Sequence, residues 1–307
     1  MVGLGTLPVD CIAHILSFTT PLDAARSSAV SRAFRAASDS DAVWSKFLPP
    51  DLDLIASTSV TTPPPPPPLG PSLTRQKDVF LRLCSAPLLI DSGRKSFALE
   101  KWSGKKCYTI GTKDMSIVWD DAPEYWRWSS LHLSRFPEVA ELLRVLWLEV
   151  HAKMDTRLLS ANTYYAALFI FKFVHENSGF ENQAVEVSIF CGSGAERCNI
   201  YLDPNGRMRQ QSQTAQERYP HIFQDATAVR VIQAREKQFP RDREDGWKEV
   251  NLGEFFVDDS PTGEVKISLM EVKSGKWKSG LVIQGIELRP TQMTSRESSR
   301  QHIGRRI

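Results

Sequence analysis

Residues 7–48 read LPVDCIAHILSFTTPLDAARSSAVSRAFRAASDSDAVWSKFL. Thr6 is a cap candidate for a helix whose first turn holds Pro8, where a missing N–H costs nothing. Ile12, Ile15 and Leu16 recur at helical spacing and make one apolar stripe. Pro21 interrupts the pattern. Asp23 is a second cap candidate, before an Ala-rich run that ends in Val30 and Phe34. Asp41 precedes a third run with Val43, Trp44, Phe47 and Leu48. Three short helices in roughly fifty residues do not bury a self-sufficient core, so part of this apolar surface is expected to face a partner.

Outward from that stretch the composition changes. Residues 51–75 hold six consecutive prolines, Pro63 to Pro68, among Ser, Thr and Gly. They read as an extended spacer of about 3 Å per residue; a docking ligand for an SH3-like domain is the other reading. Val79, Phe80 and Leu83 suit a short helix over 75–84. Beyond Ser92-Gly93 the pattern becomes strand-like. Val185, Val187 and Ile189 alternate with polar residues, as do Val265, Ile267 and Leu269. Residues 165–174 are dense in aromatic and aliphatic side chains and suit a more buried strand. Residues 139–148 fit either a helix or a strand start. The turn-rich 274–280, SGKWKSG, reads as a hairpin connector. The expected class is therefore α+β and multidomain: an all-α module over 1–50, the spacer, a β-sandwich over 76–290, and a disordered basic tail over 291–307.

Composition narrows the function. The 307 residues are 41% hydrophobic and 24% charged with a net charge of +2, ordinary values for soluble globular protein and enough chain for about two domains. No basic helix with interleaved aromatics suggests nucleic acid. The longest apolar run, 166–174, is broken by Lys172 and is too short to span a bilayer. The start of the chain lacks the layout of a signal peptide. Five cysteines, an odd number, suit a reducing compartment, hence cytoplasm and nucleus. Cys191 and Cys198 flank Gly192-Ser193-Gly194, but no second ligand pair follows at zinc spacing. No metal, cofactor or catalytic residue is expected.

Two resemblances sharpen this reading. Leu7-Pro8-Val9-Asp10, Ile12, Ile15-Leu16-Ser17, Asp23, Val30-Ser31-Arg32-Ala33-Phe34 and Ser40-Asp41-Ala42-Val43-Trp44 together resemble an F-box, the module that joins a protein to a Skp–cullin ubiquitin ligase. That resemblance implies docking to a Skp-type adaptor, and through it cullin, by Leu7, Pro8, Ile12, Ile15, Leu16, Val30 and Trp44. Phe18-Thr19-Thr20 departs from the bulkier apolar and basic pair of many F-boxes. Lys95-Ser96-Phe97, Ser116-Ile117-Val118-Trp119-Asp120, Pro123-Glu124-Tyr125-Trp126-Arg127-Trp128, Asp245-Gly246-Trp247, Leu252-Gly253-Glu254-Phe255-Phe256 and Trp277-Lys278-Ser279-Gly280-Leu281 resemble a phloem protein 2, or Nictaba-like, lectin domain. The combination resembles the F-box phloem protein 2-B group of plants. It implies a jelly-roll sandwich and, in some members, binding of glycans containing N-acetylglucosamine.

A pyranose presents one apolar C–H face for an aromatic ring and a rim of hydroxyls for hydrogen-bonding groups, among which carboxylates are strong acceptors. The resemblance places sugar contacts at Trp119, Trp126, Glu264 and Glu271, with Asp120, Asp121, Glu124 and Tyr125 as supplements. The two glutamates are seven residues apart. An unbroken strand would separate their Cα atoms by about 23 Å and point them to opposite faces. One of them is thus expected to be structural or to touch a distant sugar unit. The spacing also argues against a glycosidase, whose carboxylates lie about 5 to 10 Å apart. The expected function is a non-catalytic receptor that recruits glycosylated proteins for ubiquitination. A free lectin acting outside a ligase, and a sandwich that binds proteins without sugar, are the alternatives.

Overall fold

The computed structural model describes residues 7–60, 75–203, 239–259 and 263–291. Thr6, the proline run and the chain beyond Thr291 lie outside the described residues. Two compact units divide between Thr109 and Ile110. The first holds α1 (Val9–Leu16), α2 (Pro21–Ser27), α3 (Arg32–Ser38), α4 (Asp41–Phe47), α5 (Leu52–Ser57) and α6 (Gln76–Ser85), then β1 (Leu88–Ile90), β2 (Lys95–Leu99) and the start of β3 (Lys106–Gly111).

Four short helices, not three, therefore occupy 9–47. The Ala-rich run is split by a turn over 28–30. The caps also differ from the sequence reading. Pro8 sits just before α1 rather than in its first turn. Thr20, not Asp23, caps α2 and accepts from the Asp23 N–H at 3.2 Å. The physical reason is Pro21, which lacks an N–H and fixes the first helical position, so the residue before it becomes the cap. Ser31 and Ser40 cap α3 and α4. Ile12, Leu16, Ala24, Ala37, Val43, Trp44 and Phe47 fill the core, and the Trp44 indole N–H donates to the Ser38 carbonyl at 2.6 Å. Phe80 of α6 completes it, its ring 5.2 Å from Trp44 and 6.4 Å from Phe47. Residues 76–109, grouped with the sandwich from sequence, thus belong to the first unit and supply the apolar surface that the short helices lack.

The second unit is an antiparallel β-sandwich. Its strands are β4 (Ser116–Ile117), β5 (Trp126–Ser129), β6 (Val139–Leu142), β7 (Leu148–Asp155), β8 (Thr163–Ser178), β9 (Ala184–Cys191), β10 (Gly194–Tyr201), β11 (Arg241–Asp242), β12 (Lys248–Val257), β13 (Glu264–Glu271) and β14 (Ser279–Pro290). One sheet runs β11-β12-β8-β14, with β6 beside β14 and β5 beside β6. The other runs β10-β9-β13-β7-β4. Alternating Val185, Val187, Ile189, Val265, Ile267 and Leu269 point inward. The first half of β8, through Phe171, is buried on both sides, because Val139, Trp247 and Val282 pack against Ala166, Leu168 and Ile170; this explains its dense apolar sequence.

Two ambiguities resolve here. Residues 139–148 are neither one helix nor one strand: β6 and the start of β7 are separated by a loop over 143–147. The 274–280 stretch is not a hairpin connector. β13 and β14 belong to different sheets, so this segment crosses from one layer to the other. Turn-rich composition shows that the chain reverses, but not which neighbour the next strand will pair with.

Candidate functional site

The F-box helices present an apolar surface of their own. Ile12, Leu16 and Trp44, expected at the adaptor contact, are core residues here. Pro8, Ile15 and Val30 are exposed, and Leu7 is half-buried. Val9 is exposed as well, and Phe18 is 78% exposed with its ring packed edge-on against His14 at 4.9 Å. The sequence reading treated Phe18 as a departure. Its signal was a large aromatic side chain just beyond a helix whose inner stripe was already complete.

In the sandwich, Trp119 stands on a tight turn between β4 and β5. Its ring is 51% exposed and its backbone is left-handed, φ 67°. That conformation costs a bulky residue roughly 1–2 kcal/mol and persists only where surroundings impose it. The surroundings are two indoles. Trp126 Nε1 donates to the Val118 carbonyl at 3.1 Å and Trp128 Nε1 to the Asp120 carbonyl at 3.2 Å, gripping the turn on either side of Trp119. Trp126 itself is only 2% exposed. It therefore offers no ring face to a sugar, contrary to its expected role; burial of the indole in β5 makes it the residue that positions Trp119.

Tyr125 extends the Trp119 surface, ring centroids 6.1 Å apart. Its carbonyl accepts from the N–H groups of Leu143 at 2.8 Å and Arg144 at 3.3 Å. This ties the turn to the 143–147 loop, which carries exposed Arg144 and Trp147. The Arg144 guanidinium lies 5.0 Å over the Trp277 ring, itself 53% exposed. Trp119, Tyr125, Arg144 and Trp277 thus form a connected ledge at one end of the sandwich. Sequence reasoning singled out neither Arg144 nor Trp277 as a site residue.

Glu271 holds that ledge from behind. Its side chain is 4% exposed and pairs with the fully buried Lys278. It also accepts from the Ser274 N–H at 2.9 Å and hydroxyl at 2.8 Å. Lys278 Nζ donates to the Leu146 carbonyl at 2.9 Å and the Lys276 carbonyl at 3.0 Å. One buried ion pair therefore clamps the 143–147 loop to the 272–278 loop. Burial pushes the Glu271 carboxyl up, but the bonds from Lys278 and Ser274 outweigh it and hold it below its ordinary value. Glu271 also borders a polar cavity of about 230 Å³ with Glu186, Asn199 and Lys273, though its oxygens are already committed to the clamp.

Glu264 lies elsewhere. β13 pairs with β7 in unbroken register, Glu271 opposite Leu148 and Glu264 opposite Asp155. The Val118 N–H bonds to the Glu149 carbonyl, so Trp119 shares the Glu271 end. Glu264 sits about 23 Å along the strand, exposed and 3.7 Å from Lys153. Glu264 is therefore not brought to the end of the strand that holds Trp119 and Glu271.

Comparison with known proteins agrees with both halves. The phloem protein 2 family model matches residues 105–290, and the F-box-like family model matches residues 4–49. The F-box protein At2g02240 of Arabidopsis thaliana is 39% identical over 288 residues, covering 93% of this chain and 80% of that protein. The chain belongs to the F-box phloem protein 2-B group. F-box protein PP2-B15 of Arabidopsis thaliana is 39% identical over 94% of this chain and 98% of its own length. F-box protein VBF, from the same plant, is 39% identical over 92% and 98%. Solved structures overlap weakly: a Podospora anserina mannanase with a CBM35 module aligns at 7% identity over 62% of this chain and 29% of that one, TM-score 0.31. For a phloem protein 2-B F-box protein, then, motif positions divide between those that build the fold and those that reach its surface.

Proposed function

We propose that this F-box phloem protein 2-B chain is the substrate-recognition subunit of a Skp–cullin–F-box ubiquitin ligase, acting in cytoplasm and nucleus without bond chemistry of its own. The observation that carries the reading is the exposed set Pro8, Ile15, Phe18 and Val30, on or beside helices whose inner faces are already filled. Large apolar side chains left in water by a segment whose core is already complete favour a partner surface. A Skp-type adaptor is the partner, and cullin follows through it. The sandwich captures the target, a glycosylated protein whose sugar stacks on Trp119, with hydroxyls accepted by the neighbouring Asp120, Asp121 and Glu124. Catalysis is supplied by proximity, which raises the effective concentration of target lysines near activated ubiquitin.

The test is co-purification of the full chain with a Skp-type adaptor. Wild type should retain the adaptor, and Ile15→Asp with Phe18→Asp should release it without lowering the melting temperature. Retention by that double variant would overturn the adaptor reading. Glycan capture by the full chain, lost on Trp119→Ala, would support the sugar reading; equal capture of protein targets by Trp119→Ala would favour a sandwich that binds protein surfaces.

A further inference from the structure

The outward face of the β10-β9-β13-β7-β4 sheet carries side chains to which the foregoing reading assigns no role. Register places Lys153 of β7 opposite Lys266 of β13, and Lys266 opposite Phe190 of β9. The next row along the strands is Ser116, His151, Ser268, Ser188 and Arg197, each opposite its neighbour. Beyond it lie Glu149, Met270, Glu186 and Asn199. All of these side chains are exposed or half-buried, while the residues alternating with them on β7, β13 and β9 are buried.

Stability alone does not explain this face. Two lysines directly opposite one another repel. Lys153 has Glu264 at 3.7 Å, and Lys266 makes no ion pair among the described residues. Phe190 is 39% exposed, and the Arg197 guanidinium lies 5.8 Å over its ring. The carboxylates of the far row are already engaged, Glu149 with His151 at 2.8 Å and Glu186 with Lys273. The Ser188 and Ser268 hydroxyls lie 2.7 Å apart. One donates to the other, which leaves one hydrogen to donate outward. Both side chains are small, so the middle row is a shallow trough across the strands. Lys153, Lys266 and Phe190 line one side of it, and Met270 with the paired acids lines the other. From β7 to β10 it is about 14 Å wide.

Cations, an apolar ring and a hydroxyl donor thus meet in one short span. Carboxylates satisfy the lysines, an apolar side chain covers Phe190, and a peptide carbonyl accepts from the serine pair. A nucleic acid or an anionic membrane fits poorly, because Glu149, Glu186, Asp155 and Glu264 border the strip and repel an extended array of phosphates. Resting on the reading of the sandwich as a receptor for protein targets, we propose that this sheet face docks an acidic segment of the target polypeptide. Lys266 and Lys153 receive its carboxylates, and Phe190 with Arg197 covers an adjoining apolar side chain. The target is then held by its chain, at a place separate from Trp119.

The experiment measures fluorescence anisotropy of a short labelled peptide of Glu, Leu and Gly with the full chain. A counterpart with Gln for Glu, and an oligonucleotide of equal charge, serve as controls. Wild type should bind the Glu peptide about tenfold more tightly than either control. Lys266→Glu should lose about tenfold without lowering the melting temperature, since it replaces a repelling cross-strand pair with an attracting one. Arg197→Gln should lose less. Arg305→Gln with Arg306→Gln, which removes two basic residues near the end of the chain, should change binding less than about twofold, as should Trp119→Ala. Equal binding of the Gln peptide or the oligonucleotide by wild type would overturn the proposal. So would unchanged binding by Lys266→Glu, or loss on the Arg305 and Arg306 variant or on Trp119→Ala. Adaptor retention is read separately through Ile15 and Phe18, and glycan capture through Trp119, so failure on the sheet face leaves the receptor reading standing.

Discussion

On helix α1, Ile15 and Leu16 are neighbours in sequence and opposites in structure: Leu16 is packed in the core and Ile15 faces water. In the sandwich, Trp119 and Trp126 divide likewise, one half exposed and the other buried. The causes differ. A helix turns about 100° per residue, so adjacent apolar residues diverge by local geometry alone. Trp119 is turned outward by a left-handed backbone held by indoles that donate to its neighbours' carbonyls. The helical surface is robust because each residue lies on it by periodicity. The ledge depends on distant support, and this difference can be broken at several points.

The largest effect is expected from Trp44→Ala, which empties a core shared by α4 and α6. It should cost about 3–5 kcal/mol, read by urea denaturation. Lys278→Met comes close behind, because it strands the buried Glu271 carboxylate; loss of about 3–5 kcal/mol is expected in the same assay. If it proved neutral, the buried pair would not be the clamp described. Phe18→Ala should leave stability within about 0.5 kcal/mol yet weaken adaptor binding by roughly 1–2 kcal/mol, measured by calorimetry.

A pH series sharpens the contrast further. Glu271 and Glu287 both have carboxyls held below their ordinary values. Burial pushes each up, and is outweighed by Lys278 and Ser274 for Glu271 and by Arg289, Arg135 and Arg243 for Glu287. A lowered folded value means stability that is complete above the unfolded carboxylate pKa of about 4.3 and lost as pH falls below it. The sandwich should therefore weaken steeply in acid, and Glu271→Gln should flatten that decline. Glu264→Gln is expected to be the smallest perturbation. Its surface pairing with Lys153 is worth less than about 1 kcal/mol, and ledge binding should not change.

Much of this was legible in the residues. The helical stripe, the alternating strands β9 and β13 and the buried β8 all follow from periodicity. The opposed placement of Glu264 and Glu271 also follows, since seven residues along a strand is an odd number of side-chain steps. Trp126 and Trp277 were not legible. Their rings are alike in composition and context, and only neighbours far apart in the chain decide which is buried.

By itself, then, the sequence determined an F-box followed by a β-sandwich, because side-chain periodicity and turn residues are local properties. Tertiary structure alone decided that Phe80 completes the helical core, that the 274–280 stretch crosses between sheets, and that Arg144 meets Trp277. Each of these is a contact between residues more than thirty positions apart or a choice of pairing partner. Such choices are set by which surfaces remain to be buried once the local elements have formed.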